Sequence, residues 1–179
     1  AQFPNARFAV ELREPALRIM SVIEANRDRD FIPGLIEALG SESIEGVAER
    51  PDVRKRFEAL RAKHEQAIEA VRARAQESDG VVIYDLSDTR LDAINKFIPY
   101  YLFPDCRYMV GVSLSDTRAK VSVGSNPWSA VPRQHNLARI CERYGGGGHA
   151  VVGAISLGPS EIERAREAAR EIADELRRP

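Results

Sequence analysis

Four consecutive glycines run directly into a histidine at Gly145-Gly146-Gly147-Gly148-His149. A glycine in a regular element costs about 0.5–1 kcal/mol of backbone entropy relative to alanine. One glycine is enough to end a helix, so four in succession exceed the needs of a turn. Glycine permits positive φ and lets a ligand come close to backbone N–H groups, and successive N–H groups form an anion-binding nest. His149 can add a side-chain donor at once. This pattern points to a phosphate-type site, with a flexible link between helix and strand as the alternative. Neither GxxxxGK[ST] nor GxGxxG occurs, which argues against a mononucleotide P-loop and a Rossmann turn.

The other chemistry-bearing residues are scattered. None of the three histidines, His64, His135 and His149, follows an aspartate. Two-metal hydrolysis needs carboxylates and imidazoles converging on ions about 3.5–4 Å apart, so no metal centre is expected within this chain. Asp85 and Asp88 sit at the C-terminal end of a predicted strand, where functional residues gather in α/β folds; a turn or helix cap accounts for them equally. Arg133 precedes the helix that leads into the glycines and could supply charge, or be a solvated surface residue. Cys106 and Cys141 lack CxxC spacing, which argues against a disulfide scaffold and a zinc site. Trp128, Tyr100, Tyr101 and Tyr144 offer rings for base stacking, although Trp128 after Pro127 also suits a core edge.

The elements that must position these residues fall into two regions. Residues 1–78 read as helical. Leu12, Ala16, Ile19, Met20 and Ile23 recur at helical spacing, and Pro15 suits a first turn. Phe31, Leu35, Ile36 and Leu39 follow Asp30, with Gly40 as the expected stop, and Ser43, Ile44 and Val47 suggest one short turn. Pro51-Asp52 opens the longest helix. Its stripe of Val53, Phe57, Leu60, His64, Ala67 and Val71 keeps heptad spacing, which suits one amphipathic helix docked on a body. Asp79-Gly80 is the expected break of that helix.

Residues 79–179 alternate strand and helix signals. Val81–Tyr84 reads as a strand, and 90–102 as a helix closed by Pro104. Residues 107–114 and 119–123 read as a hairpin about Ser115-Asp116-Thr117-Arg118. Residues 136–144 suggest a helix and 150–157 a strand. A last helix carries Ile162, Ala165, Ala169, Ile172 and Leu176, with Ser160 and Glu163 as a capping box. The order is β-α-β-β-α-β-α, an α+β or α/β-like class: a helical connector, then a small mixed-sheet domain with helices packed on it.

Composition narrows the function. With 179 residues, 26 Lys plus Arg and 27 Asp plus Glu, the net charge is −1, against a surface that binds nucleic acid by bulk charge. No apolar run approaches the roughly 20 residues of a membrane span, and a cytoplasmic location is expected. The chain opens on Ala1 rather than Met, so it is expected to be cut from something longer.

Arg143-Tyr144 with the glycine–histidine run, followed by Val152-Gly153, resembles the DHH-associated C-terminal domain of the DHH phosphoesterases. Val121-Ser122-Val123-Gly124-Ser125-Asn126 resembles that domain's second strand end. The resemblance covers residues 79–179, and the helical region is similar to the connector of the exopolyphosphatase-like branch. It implies hydrolysis of phosphodiester or phosphoanhydride bonds in a phosphorylated small molecule, polyphosphate or a short oligonucleotide. It implies a substrate loop of Gly145, Gly146, Gly147, Gly148 and His149, with Ser125 and Asn126 on the opposite wall and Arg133 as a charge. Manganese or magnesium would belong to an N-terminal DHH lobe, a partner missing from this sequence, so the chain would not be catalytic alone. Many nucleotide-cleaving members carry Arg where this chain has Gly124, which fits the exopolyphosphatase-like branch better. The alternative is a nucleic-acid-binding module of the kind found beside alanyl-tRNA synthetase-type sequences; a homodimer through the heptad is a third reading.

Overall fold

The computed structural model describes residues 3–26, 28–89, 91 and 94–178. They form two compact units, residues 2–66 and residues 67–179.

The first unit is helical: α1 (Ala6–Glu11), α2 (Pro15–Ala25), α3 (Phe31–Ser41), α4 (Ile44–Glu49) and the beginning of α5 (Pro51–Arg74). Short polar side chains start two of these helices. Asn5 Oδ1 accepts from the Phe8 N–H at 2.8 Å and Ser43 Oγ from the Gly46 N–H at 3.0 Å, each satisfying a donor with no partner inside the helix. Pro15 and Pro51 open α2 and α5, as expected. Gly40 does not stop α3, because the Glu42 N–H still donates to Ala38 O at 2.8 Å. The core gathers Ile19, Val22, Phe31, Leu35, Val47 and Val53. Along the heptad stripe Val53, Ala67 and Val71 are buried, and His64 Nε2 lies 2.7 Å from Val10 O. As far as His64, the stripe therefore docks within the first unit.

The second unit is built on a six-stranded sheet in the order β1-β2-β3-β4-β6-β5. Its strands are β1 (Gln76–Ser78), β2 (Val81–Asp85), β3 (Tyr108–Leu114), β4 (Ala119–Ser125), β5 (Gly147–His149) and β6 (Val152–Leu157). Only β2 and β3 run parallel. The helices are α6 (Ile98–Leu102), α7 (Leu137–Glu142) and α8 (Ile162–Arg177). The class is α+β, as the sequence predicts.

Alternation assigns the two sheet faces. Tyr108, Val110, Val112, Val121, Val123 and Ile155 point one way and join Leu137, Ile140, Ile172 and Leu176 of α7 and α8 in the main core. Val82, Tyr84, Met109 and Gly111 point the other way, where Tyr100 of α6 reaches them.

Several sequence expectations are corrected. Asp79-Gly80 does not break α5, which has ended at Arg74. The pair has φ values of 52° and 78°, the primed turn that closes the β1–β2 hairpin. Strand β1 escapes a reading based on periodicity because it is exposed and has no apolar residue. Of the helix expected over 90–102, only Ile98–Leu102 forms; Arg90, Asp92 and Ala93 lie outside the described residues. Asn95 Oδ1 accepts from the Phe97 N–H at 2.9 Å, and Pro99 sits in the first turn. Glu161, rather than Glu163, closes the cap before α8. Its carboxylate accepts from the Gly158 N–H at 2.9 Å, and Pro159–Glu161 winds as a 3₁₀ turn.

Candidate functional site

Helix α7 starts where Asn136 Oδ1 accepts from the Arg139 N–H at 3.3 Å. It ends where the Gly145 and Gly146 N–H groups donate to Glu142 O and Cys141 O at 3.0 and 2.9 Å. Gly145 is there at φ 78°, the left-handed conformation of a helix C-terminus. The next residues are strand β5 at the sheet edge, not a free loop.

Close approach explains two more of the four glycines. A Cβ on Gly146 would stand 2.2 Å from Ala154 O, and one on Gly148 would stand 2.2 Å from Val152 O. Gly148 also has φ 151°. Gly147 has neither constraint: nothing lies within 4 Å of its Cβ position. The run thus joins a helix end, a tight strand pairing and one position open to a ligand. An edge strand also turns alternate N–H groups away from its only partner.

Register fixes where each sequence-predicted site residue points. Gly147 pairs with Ala154 and His149 with Val152, which itself pairs with Gly124. Gly147 and His149 therefore share the face opposite α7 and α8 with Gly124, Ser122 and Ala154. His149 and Val152 are exposed there, and Ser122 and Ala154 are half-buried. Lys120 lies farther along this face, where burial and then Arg118 lower the pKa of its ammonium.

The remaining predicted residues lie elsewhere. Ser125 pairs with Tyr108 on the helical face, and its hydroxyl donates to Val151 O at 3.1 Å in the β5–β6 turn. Asn126 is buried at 7% exposure. Its Nδ2 donates to Pro104 O and Cys106 O at 3.0 and 2.8 Å, and its Oδ1 accepts from the Trp128 N–H at 3.0 Å. Arg133 is exposed and donates to His135 O. His135 Nδ1 stands 3.2 Å from the Tyr108 hydroxyl, again on the helical face. The structure thus puts Gly147 and His149 on one sheet face, ties Ser125 to the turn that follows His149, and engages Asn126 and Arg133 in hydrogen bonds to other segments.

Asp85 and Asp88 are tied into ion pairs. Burial works against ionisation of Asp85, but hydrogen bonds from Ser87 and from Arg166 at 2.8 Å outweigh it and lower the pKa. Asp88 takes both ends of the Arg74 guanidinium at 3.1 and 3.0 Å. Both cysteines are buried and free; burial pushes the Cys106 thiol up to about 12 and raises that of Cys141. Trp128 tilts against Phe97 at 5.2 Å between ring centroids.

Sequence reasoning took Ser122 and Gly124 only as part of a strand-end motif and did not single out Lys120 or Ala154. The signal was present: Lys120, Ser122 and Gly124 alternate with Ala119, Val121 and Val123. The polar set of a strand with one buried face marks the open face.

No protein-family model matches the sequence, and no curated protein matches it. Solved structures do. The pGpG-specific phosphodiesterase PggH of Vibrio cholerae superposes with a TM-score of 0.78 at 21% identity, over 98% of this chain and 62% of that one. The DHH domain of a protein described as a member of a ribosomal-protein family superposes with a TM-score of 0.56 at 17% identity, over 93% of this chain and 44% of that one. An exopolyphosphatase-related protein from Bacteroides fragilis aligns at 0.46 and 12%, over 85% and 46%. The chain spans about three fifths of PggH and less than half of the other two. Its fold is that of part of the pGpG-specific phosphodiesterase and of the DHH domain.

Proposed function

We propose that this chain is the substrate-binding part of a DHH-family phosphoesterase acting on phosphodiester or phosphoanhydride bonds, and that phosphate is held at β5 by His149 and outward-facing backbone N–H groups. One observation carries the reading: a glycine-rich edge strand and an exposed histidine border an open sheet face, in a fold shared with a pGpG-specific phosphodiesterase along nearly the whole chain. Among the described residues no three His, Cys, Asp or Glu side chains gather as metal ligands. The described residues do not fit a two-metal centre, and manganese or magnesium would be held by an N-terminal DHH lobe.

Strand β5 is the edge of the sheet and would present its unpaired donors to an anion from the side. Glycine at 147 leaves the approach clear. The test is calorimetric titration of the chain at fixed salt with pGpG, tripolyphosphate and a 20-mer RNA, repeated with His149→Ala. A hydrogen bond to a charged group is worth about 1.5–3 kcal/mol, so saturable binding of a small phosphorylated ligand, weakened about tenfold or more in the variant, supports the reading. Binding of the RNA alone, indifferent to His149 and falling steeply with salt by counterion release, overturns it in favour of a nucleic-acid-binding module.

A further inference from the structure

Lysine is scarce in this chain: Lys55, Lys63, Lys96 and Lys120 are all it has. Lys55 and Lys63 are exposed along α5, and Lys96 is exposed with its ammonium 5.1 Å from the centre of the Phe97 ring. Lys120 is the exception. It sits inside β4, with a strand on either side, and is half-buried on the open face.

Register surrounds Lys120 with hydroxyls and one cation. It pairs with Ser113 on β3 and with Ser156 on β6, and residues directly opposite in antiparallel strands have Cβ atoms about 5 Å apart. The Ser115 N–H donates to Arg118 O at 2.9 Å, which continues the β3–β4 ladder by one pair. Arg118 therefore lies two residues from Lys120 on the same side of the strand. Asp116, the one acid of that turn, is exposed beyond it. Among the described residues neither Lys120 nor Arg118 makes an ion pair.

An ammonium with a cation beside it and no carboxylate in contact is poorly held in its charged form. Burial, and then Arg118, lower the pKa of Lys120, which enlarges the share of free amine, the form that attacks a carbonyl. Desolvation and a cationic neighbour are two ways in which a lysine becomes nucleophilic. Arg118, exposed and unpaired, offers a fork of donors to an anion arriving at the same place.

We propose that Lys120 is a modification site, where its amine takes the acyl group of an acyl phosphate whose phosphate is held by Arg118. The nitrogen bonds to the carbonyl carbon, the bond from that carbon to the phosphate oxygen breaks, and inorganic phosphate leaves with the electron pair. The proton lost from nitrogen goes to the departing phosphate, and nothing is oxidised or reduced. The hydroxyls of Ser113 and Ser156 are the nearest donors for the carbonyl oxygen as it gains charge. The product is an amide, so the open face loses a cation. The reaction uses neither His149 nor the donors of β5.

The test treats the full chain with acetyl phosphate and, separately, with N-acetoxysuccinimide, an uncharged acetyl donor, and follows each lysine by peptide mass spectrometry. Acetyl phosphate is expected to modify Lys120 about threefold or more faster than Lys55 or Lys63, and unfolding in guanidinium chloride should abolish the preference. Arg118→Gln should slow Lys120 about two- to fivefold with acetyl phosphate, the worth of an exposed ion pair, and less with the uncharged donor. Modification of Lys120 no faster than that of the two α5 lysines overturns the site. A preference that survives unfolding belongs to the local sequence and overturns it equally. Equal slowing of both donors by Arg118→Gln overturns the hold of Arg118 on the phosphate.

Discussion

The two faces of one sheet are built to different rules. The face beneath α7 and α8 is lined by Val110, Val112, Val121, Val123 and Ile155, all at most 2% exposed. The opposite face is more varied: Val82, Tyr84 and Met109 are buried at one side, while Ser122, Ala154, Val152 and His149 are half-buried or exposed at the other. A glycine on the first face serves close packing: a Cβ on Gly153 would stand 2.5 Å from Cys141 Sγ. A glycine on the second makes space that a phenol enters from one side and a ligand can enter from the other. The same pleat thus yields a close-packed core on one side and a half-open face on the other. Substitutions should divide along that boundary.

The largest effect is expected in the core. Ile172 of α8 is fully buried, and Ile172→Ala should cost about 2–5 kcal/mol, as lost burial and a residual cavity add. The same kind of truncation on the open face, Val152→Ala, removes methyls from a residue 43% exposed and should stay within about 0.5 kcal/mol. Urea unfolding of both variants measures the difference. Equal costs would mean that the second face is also core.

Next is the seam between the faces, at the sheet edge. Gly148→Ala forces a side chain to adopt φ 151° and places its Cβ against Val152 O. Backbone strain alone is worth about 1–3 kcal/mol, and separation of β5 from β6 should follow. Hydrogen exchange at Val152 and Ala154 reports that separation. Unchanged protection would show that β5 is dispensable to the sheet.

The tyrosines give the open face its own pH signature. Burial raises the pKa of both Tyr84 and Tyr100 above the ordinary phenol value. The unfolded chain then loses these protons before the folded one does. Their contribution to stability is fully present below the unfolded pKa, about 10, and is lost as pH rises through the folded values. Unfolding free energy should therefore fall above about pH 10. The fall should be shallower in Tyr84→Phe and Tyr100→Phe, measured by denaturant titration across pH 8 to 11. A slope unchanged in both variants would place the alkaline sensitivity elsewhere.

The helical face was legible in the sequence because apolar residues recur every second position in β4 and every three or four in α8. The hairpin turn at Ser115–Arg118 was legible from local chemistry, and helix α7 from Leu137, Ile140 and Cys141, although the cap at Asn136 was not read. Strand β1 was not, since Gln76-Glu77-Ser78 carries no apolar residue, and β5 was not, since two of its three residues are glycines that read as a loop. The glycine run was rightly singled out, but two of its four members, Gly146 and Gly148, have steric reasons that only the pairing with β6 reveals. The contact between Tyr100 and Gly124 joins residues 24 positions apart on different elements, and no local pattern announces it.

Gly147 separates structural from functional glycine most finely, because the expected change in stability is small and opposite in sign to the change in binding. It has no positive φ and no neighbour at its Cβ position. Gly147→Ala should leave the fold intact and raise stability by about 0.4–1 kcal/mol, by restricting the unfolded chain. Its methyl would stand on the open face beside Ala154, in the path of a ligand reaching β5. Binding should weaken while the melting temperature rises by about 1–4 °C. A rise in both would make Gly147 an ordinary strand residue and leave recognition to His149. A fall in stability would mean that the strand needs this glycine for packing, as it needs Gly146 and Gly148.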